Sequence, residues 1–463
     1  MRGYRTTRAP FGGAIRTAIA AALSAASTLA IPGAASAAPI TVEADLGQSA
    51  IPTGSTGKVY LRLSLKGTAT PRKERRTPVN VALVIDRSGS MKGPRIAGAK
   101  EAARLALERL GADDIVSLVA YNHGVDVLQP AAPLGSDHAL AAKIDKLEAD
   151  GRTALHAGVV SGAEQVKRFL SPTRVNRVIL LSDGLANVGP SSPKQLADLG
   201  RELGAKGISV TTIGLGLDYN EDLMQRLAAA SDGNHAFVED AEDLAGIFNS
   251  EFGDALSITA QDIEIIIECR IGFKPVRVLG REARIEGNQI RLKLNQLQGA
   301  NERYFVVELD APETRTPGEA EIAAVKVEYL DLESGRRSST EAKARGRFTA
   351  SRQEAEASVN KTVMSQVAAQ VATETSEQAV ELRDKGDVTG ARKLLEGNAA
   401  YLKSARERYG IGVGAAPPAS VGALNALEEE QRKAASNLDA DRWDKTRKSM
   451  RAIEHKSKVQ QTY

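Results

Sequence analysis

The sequence predicts a doubly wound α/β domain inserted in an antiparallel β-sandwich and followed by a helical C-terminal region. Three observations predict it. Between residues 78 and 255, the apolar runs "VNVALVI", "IVSLVAY", "VNRVILLS" and "ISVTTIGLG" alternate with amphipathic stretches such as "IAGAKEAARLALERL" and "PKQLADLGRELGAKG". Strands this rich in Val, Ile and Leu, separated by helices, belong in a mostly parallel sheet covered on both faces. On either side of that segment the apolar period falls to two. Beyond residue 351 the chain turns charged and helical.

The elements follow in order. Residues 1–37 read as an export signal. Arg2, Arg5, Arg8 and Arg16 precede an apolar run from Thr17 to Ile31, and Ala35-Ser36-Ala37 has the small-x-small form of a cleavage site. No cysteine stands at that point to carry a lipid. Removing the four arginines takes 61 Lys+Arg to 57 against 58 Asp+Glu, so the formal +3 becomes about −1. Bulk charge then points to neither nucleic acid nor anionic membrane. Cys269 is the only cysteine, which excludes an intramolecular disulfide. It sits in "IEIIIECRI" as a buried structural thiol. Export without disulfides fits a bacterial envelope, periplasmic or secreted. No later segment reaches 18 unbroken apolar residues, so no transmembrane helix is expected after the signal.

Residues 38–77 contribute strands around a Pro/Gly/Ser turn, then "TATPRKERRTP", an exposed basic linker. A two-stranded hairpin alone is marginal in water. These strands are therefore expected to join those of 256–350, "AQDIEIIIECRIG", "NQIRLKLNQL", "ERYFVVELDAP" and "AEIAAVKVEYLDLESG", in one sandwich. In 351–463, "EQAVELRDKGDVTGARKLLEGNAAYLKSARER" predicts a helical hairpin turning at Gly386-Asp387. "GIGVGAAPPAS" reads as a linker, and one or two further helices follow from Val421.

The chemistry-bearing residues sit where the strands end. "VALVIDRSGSMKG" runs an apolar strand into Asp86, Ser88 and Ser90, and an extended D-x-S-x-S segment turns all three to one side. "ADGRTALHAG" places Thr153 before a helix, and "VILLSDG" ends at Asp183. In a doubly wound sheet these loops share the C-terminal rim, where such folds bind ligands. Each residue alone would read as a turn or helix cap.

D-x-S-x-S after the first strand, a threonine after "GR" and "SDG" after the fourth strand resemble a von Willebrand factor type A domain, with its Rossmann-like fold. The resemblance covers roughly residues 78–252. It implies that Asp86, Ser88, Ser90, Thr153 and Asp183 form a metal-ion-dependent adhesion site for Mg²⁺ (or Mn²⁺ or Ca²⁺). Ser88, Ser90 and Thr153 would then bind directly, with Asp86 and Asp183 close by or through water. A small hard cation wants oxygen donors and keeps some water. With only two acidic groups among five, the ion retains pull on an Asp or Glu of a protein ligand. The expected function is thus an exported, non-enzymatic binding protein of adhesion or envelope assembly. The alternative is a scaffold in which the metal only rigidifies the loops and partners bind elsewhere.

Other motifs are set aside. "DYNEDL" begins like a calcium loop, but Leu223 replaces the required glycine and Ala229 the twelfth-position Glu, so it reads as a helix N-terminus. His123, His138, His156, His235 and His455 lack zinc-type spacing. "DRSGS" is not a G-x-S-x-G elbow, and no P-loop motif is present.

Overall fold

The computed structural model describes residues 39–54, 56–68, 77–135, 139–313, 316–409 and 418–462. The expected export signal and His138 lie outside them, as do most of the basic linker and of "GIGVGAAPPAS".

The N-terminal strands are β1 (Ile40–Leu46), β2 (Ala50–Pro52) and β3 (Lys58–Gly67). The central α/β segment follows. Its strands are β4 (Val79–Asp86), β5 (Ile115–Tyr121), β6 (Val125–Pro133), β7 (Val175–Ser182), β8 (Ile208–Leu215) and β9 (His235–Val238). Its helices are α1 (Pro94–Glu108), α2 (Ala139–Asp145), α3 (Leu155–Lys167), α4 (Pro193–Ala205), α5 (Glu221–Ala230) and α6 (Leu244–Leu256). The sheet order is β6-β5-β4-β7-β8-β9. From β4 the chain steps to β5 on one side and, later, to β7 on the other. In doubly wound sheets such a divergence marks the C-terminal end of the strand, here β4, as the place where ligands bind.

Period-two alternation divides each central strand between two cores. Val79, Val81, Leu83 and Ile85 pack with α1 and α6 on one face. Ala82 and Val84 pack with α3, α4 and α5 on the other. Every residue of β4, β5, β7 and β8 is buried, which explains their near-continuous apolar sequence.

Two strands fall outside the four apolar runs. β6 pairs antiparallel with β5, with register shifts on either side of Leu118. It is an edge strand carrying Pro130 and Pro133, tolerated there because an edge needs only one row of ladder hydrogen bonds. β9 is four residues long and begins at a buried histidine. Neither carries a sustained apolar signal.

After the α/β segment come β10 (Ile258–Cys269), β11 (Lys274–Val278), β12 (Arg284–Glu286), β13 (Gln289–Gln298), β14 (Glu302–Asp310), β15 (Gly318–Asp331) and β16 (Arg336–Thr349). One sheet runs β1-β3-β14-β11, and a second runs β12-β13-β10-β15-β16-β2. Except for the parallel contact of β16 with β2, their pairs are antiparallel. β3 thus pairs with β14 across the whole α/β segment. Leu61, Leu63 and Phe305 of the first sheet share a core with Ile265, Leu292 and Val327 of the second. Cys269 lies in that core, and burial pushes its thiol up to about 11.

The C-terminal helices are α7 (Arg352–Ala357), α8 (Lys361–Asp384), α9 (Val388–Arg408), α10 (Pro418–Ser436) and α11 (Ala440–Val459). α8 and α9 form a hairpin, with Gly386 at φ 90° and Asp387 capping the Gly390 N–H at 2.8 Å. The tail is not a free appendage. Val363 and Val367 of α8 pack on Val306. The two-residue strand β17 (Gln461–Thr462) adds to β14.

α11 docks on the α/β segment through charge. Arg447 pairs with Glu221 and Asp222, and with Asp384 at 2.9 Å. Lys448 Nζ reaches Glu221 at 2.6 Å and donates to the Tyr219 carbonyl at 2.8 Å. His455 Nε2 accepts the His235 N–H at 3.1 Å. Among the described residues, no helix is long and apolar enough to cross a membrane.

Burial, aided by nearby His455 and Lys448, lowers His235 to about 3. Burial, aided by Arg303 and Lys458, lowers His455 to about 4. Both rings are therefore neutral in the fold at pH values where an unfolded histidine, with its ordinary pKa of about 6.5, takes up a proton. The stability these two rings contribute is full above about pH 6.5 and is lost on acidification toward pH 4, because their unfolded forms bind more protons in that window. Relative to the His455→Gln variant, the native protein is expected to lose more melting temperature between pH 7 and pH 4.5. Differential scanning calorimetry across the range measures both.

Candidate metal centre

β4 ends on Asp86, which is fully buried. Its Oδ1 accepts the Ser88 N–H at 2.8 Å. Its Oδ2 accepts the Ser182 hydroxyl at 2.6 Å and the Tyr121 hydroxyl at 3.3 Å. Desolvation nonetheless lifts the carboxyl to about 6, against the hydrogen bonds from Ser182 and Ser88. Strongly perturbed carboxyls of this kind cluster at functional sites.

The loop after Asp86 carries Ser88, buried, and Ser90, exposed, with their hydroxyls 3.1 Å apart. Gly89 N–H donates to the Gly151 carbonyl at 2.9 Å, tying this loop to the one that bears Thr153. Thr153 N–H donates to Asn187 Oδ1 at 2.9 Å. The Thr153 carbonyl accepts the N–H groups of Asn187 and Val188 at 3.1 and 3.2 Å. All three rim loops are thus sewn together by main-chain bonds.

Asp183 follows β7 and is fully buried. Its Oδ1 accepts the Ser90 hydroxyl at 2.8 Å. Its Oδ2 accepts from Arg95 Nη1 at 2.8 Å, and Arg95 Nη2 donates to Asp218 at 2.9 Å.

The focus of the site lies beside Gly184. A β-carbon placed on that residue would stand 3.2 Å from Thr153 Oγ1, 3.3 Å from Ser90 Oγ and 3.8 Å from Ser88 Oγ. Three hydroxyl oxygens from two loops face one small space that the missing side chain leaves open. Three neutral oxygens with two nearby carboxylates are a donor set for a hard cation. Among the described residues, no cluster of three or more His, Cys, Asp or Glu has metal-holding geometry.

The five residues named from sequence therefore meet at one rim. Arg95, Ser182, Tyr121 and Asn187 also belong to it and were not singled out. Ser182 stood in view, as the serine of "SDG". Arg95 lay inside a helix pattern, Tyr121 closed an apolar strand, and Asn187 looked like an ordinary loop residue. His156 is half-buried with its pKa lowered by burial, and "DYNEDL" is a helix start capped by Asn220.

A sequence model of the von Willebrand factor type A domain matches residues 80–250. This segment is a von Willebrand factor type A domain. The uncharacterized protein sll0103 of Synechocystis sp. is 26% identical over 290 residues, covering 60% of this chain and 68% of that protein. The uncharacterized protein YfbK of Escherichia coli (strain K12) is 28% identical over 229 residues, 49% of this chain and 39% of that one. Human inter-alpha-trypsin inhibitor heavy chain H3 is 28% identical over 170 residues, 35% of this chain and 19% of its own length. The chain thus spans less than half of the latter two.

Among solved structures, the von Willebrand factor type A protein from Catenulispora acidiphila superposes with a TM-score of 0.68 at 17% identity, covering 86% of this chain and 89% of that one. The ArnB paralog VWA2 from Sulfolobus acidocaldarius does so with a TM-score of 0.58 at 15% identity, covering 91% and 98%. At these identities the likeness is one of fold, and it extends well beyond the type A domain.

Burial raises the Asp86 pKa above its unfolded value, so ionised Asp86 destabilises the cation-free fold as pH rises through about 6. Asp86→Asn keeps the shape and removes the charge. It is expected to stabilise the cation-free protein at pH 8 by roughly 1–3 kcal/mol. Urea denaturation in chelator at pH 8 measures the difference, and the gain should vanish near pH 4.

Proposed function

We propose that this chain is an exported binding protein whose type A domain holds a divalent cation and, through it, an Asp or Glu of a protein ligand. The convergence of the Thr153, Ser90 and Ser88 hydroxyls on the space beside Gly184 carries the reading. Ser88, Ser90 and Thr153 would supply the direct donors. Asp86 and Asp183 would balance charge from behind, since both are buried and hydrogen-bonded to neighbours of that space.

When bound, a small hard dication such as Mg²⁺, Mn²⁺ or Ca²⁺ would supply an electron-poor position that attracts an incoming carboxylate. The chain's own residues keep it so. The hydroxyl donors are neutral, and Arg95 offsets the charge of Asp183. The oxygens of both aspartates are engaged in hydrogen bonds, which leaves neither placed as a general base. The reading is therefore one of adhesion or envelope assembly rather than catalysis. The paired β-sheets would serve as a frame, and the docked helices would brace it.

Gly184→Ala puts a methyl group into the hydroxyl cradle at distances a fold tolerates with shifts of a few tenths of an ångström. The variant is expected to fold with wild-type circular dichroism and to lose at least about tenfold in Mn²⁺ affinity by calorimetric titration. Pull-downs from envelope extract test the ligand half of the reading. Capture should require Mg²⁺ and fail in chelator and in Asp183→Ala; capture indifferent to both would remove it.

Export rests on the charged head, apolar middle and small-residue exit of residues 1–37. Expression of the full chain in a bacterial host should yield a processed protein in periplasm or medium whose N-terminal sequence begins at Ala38. Intact protein confined to the cytosol would contradict it.

A further inference from the structure

Arg95 stands beside the cradle with its guanidinium divided between two carboxylates. Nη1 donates to Asp183 Oδ2 at 2.8 Å, and Nη2 donates to Asp218 Oδ2 at 2.9 Å. Asp183 is fully buried, whereas Asp218 is exposed. A guanidinium facing one carboxylate tends to take both of its oxygens through two parallel bonds. Here the second nitrogen is engaged elsewhere, and Asp183 keeps Oδ1 for the Ser90 hydroxyl at 2.8 Å. Released from Asp218, Nη2 would compete with Ser90 for that oxygen. Asp218 thus protects the setting of one of the three convergent hydroxyls.

Exposed ion pairs are weak when two long side chains have to be held in place for them. This one is braced from behind. The Gly216 N–H donates to the Val238 carbonyl at 2.8 Å, and a β-carbon on Gly216 would stand 2.9 Å from Arg95 Nη2. On the other side of Asp218, Tyr219 is buried beneath α11. Lys448 Nζ lies 4.6 Å from its ring centroid, donates to its carbonyl at 2.8 Å and reaches Glu221 at 2.6 Å. Arg447 then spans Glu221, Asp222 and Asp384 of α8. The backbone that carries Asp218 is therefore fixed by a helix from outside the type A domain.

We propose that α11 tunes the cation site through Asp218 and Arg95. Docked α11 holds Asp218 against Arg95, and Asp218 keeps the guanidinium from taking both oxygens of Asp183. Asp183 then retains Ser90 and part of its charge for the cation. Lifting α11 from α5 weakens the cation site, and by linkage an occupied site holds α11 down more firmly. The proposal rests on the cation binding set out above, and it makes Asp218 a positioning residue rather than a donor.

The test uses the full processed chain with Mn²⁺ as the probe in calorimetric titration. Asp218→Asn is expected to weaken Mn²⁺ binding about fivefold, the low end of site-to-site coupling. In an Arg95→Gln background the same substitution should change affinity by less than about twofold, since Asp218 acts through Arg95. An equal fall in both backgrounds would make Asp218 a bystander charge and overturn the proposal, as would no fall in either. Lys448→Met removes a positive charge, which by charge alone favours a cation. The expected result is instead a fall of about threefold, and unchanged or higher affinity would overturn the coupling to α11. Amide hydrogen exchange gives a reading without the cation. In chelator, Lys448→Met should speed exchange across Leu217, Asp218 and Tyr219; in the native protein, bound Mn²⁺ should slow exchange in α11. Exchange in α11 indifferent to bound Mn²⁺ would also overturn the coupling. Native protein that binds no Mn²⁺ would remove the cation reading and this proposal with it, whereas Mn²⁺ affinity indifferent to Asp218 would remove the coupling alone.

Discussion

The arrangement of the rim depends on the burial of Asp86. A strand inside a doubly wound sheet delivers its last side chain to the point where the chain's path divides, and here that side chain is a carboxylate sealed from water. Sealing it raises its free energy, so the surroundings have to be organised around it. Ser88 gives its N–H, which fixes the turn that aims Ser90. Ser182 and Tyr121 give their hydroxyls from the strands on either side. The same bonds that satisfy the carboxylate thus set the loop that carries two of the three convergent hydroxyls.

A second constraint runs through Arg95. Its guanidinium joins Asp183 to Asp218, and three residues beyond Asp218 the chain starts α5, whose first residues hold Arg447 and Lys448 of α11. The segment from Gly216 to Asp222 is consequently held from both sides, by the rim and by the tail. Removing Arg95's charge would act in opposite directions on the two halves of the proposed function. A cation would gain from an uncompensated Asp183, whereas a ligand carboxylate would lose from it.

Much of this was legible in the sequence, for identifiable reasons. The central strands are buried on both faces, so they stand out as unbroken apolar runs. Asp86, Ser88, Ser90 and Asp183 sit at or just past the ends of two of those strands, and Thr153 just before α3, in loops that the topology brings to one rim. The rest lacked any local signal. β6 carries prolines and is half-exposed, and β9 is four residues long. The tail is harder still. Arg447, Lys448 and Arg451 read as a solvated helix face, because Glu221 and Asp222, which pair with them across the fold, lie more than 220 residues away. Arg95 is invisible in the same way, since its partners stand 88 and 123 positions on.

The donor set also explains why charge alone would not find the site. Acid-rich cation sites announce themselves as clusters of carboxylates, and they hold the ion by satisfying it. This rim brings Asp86 and Asp183 to the cradle, buries both and offsets one with Arg95. What faces the open space is neutral oxygen. On the proposed function, such a cradle would trade cation affinity for a cation that still attracts anions, an exchange suited to a second carboxylate arriving from outside.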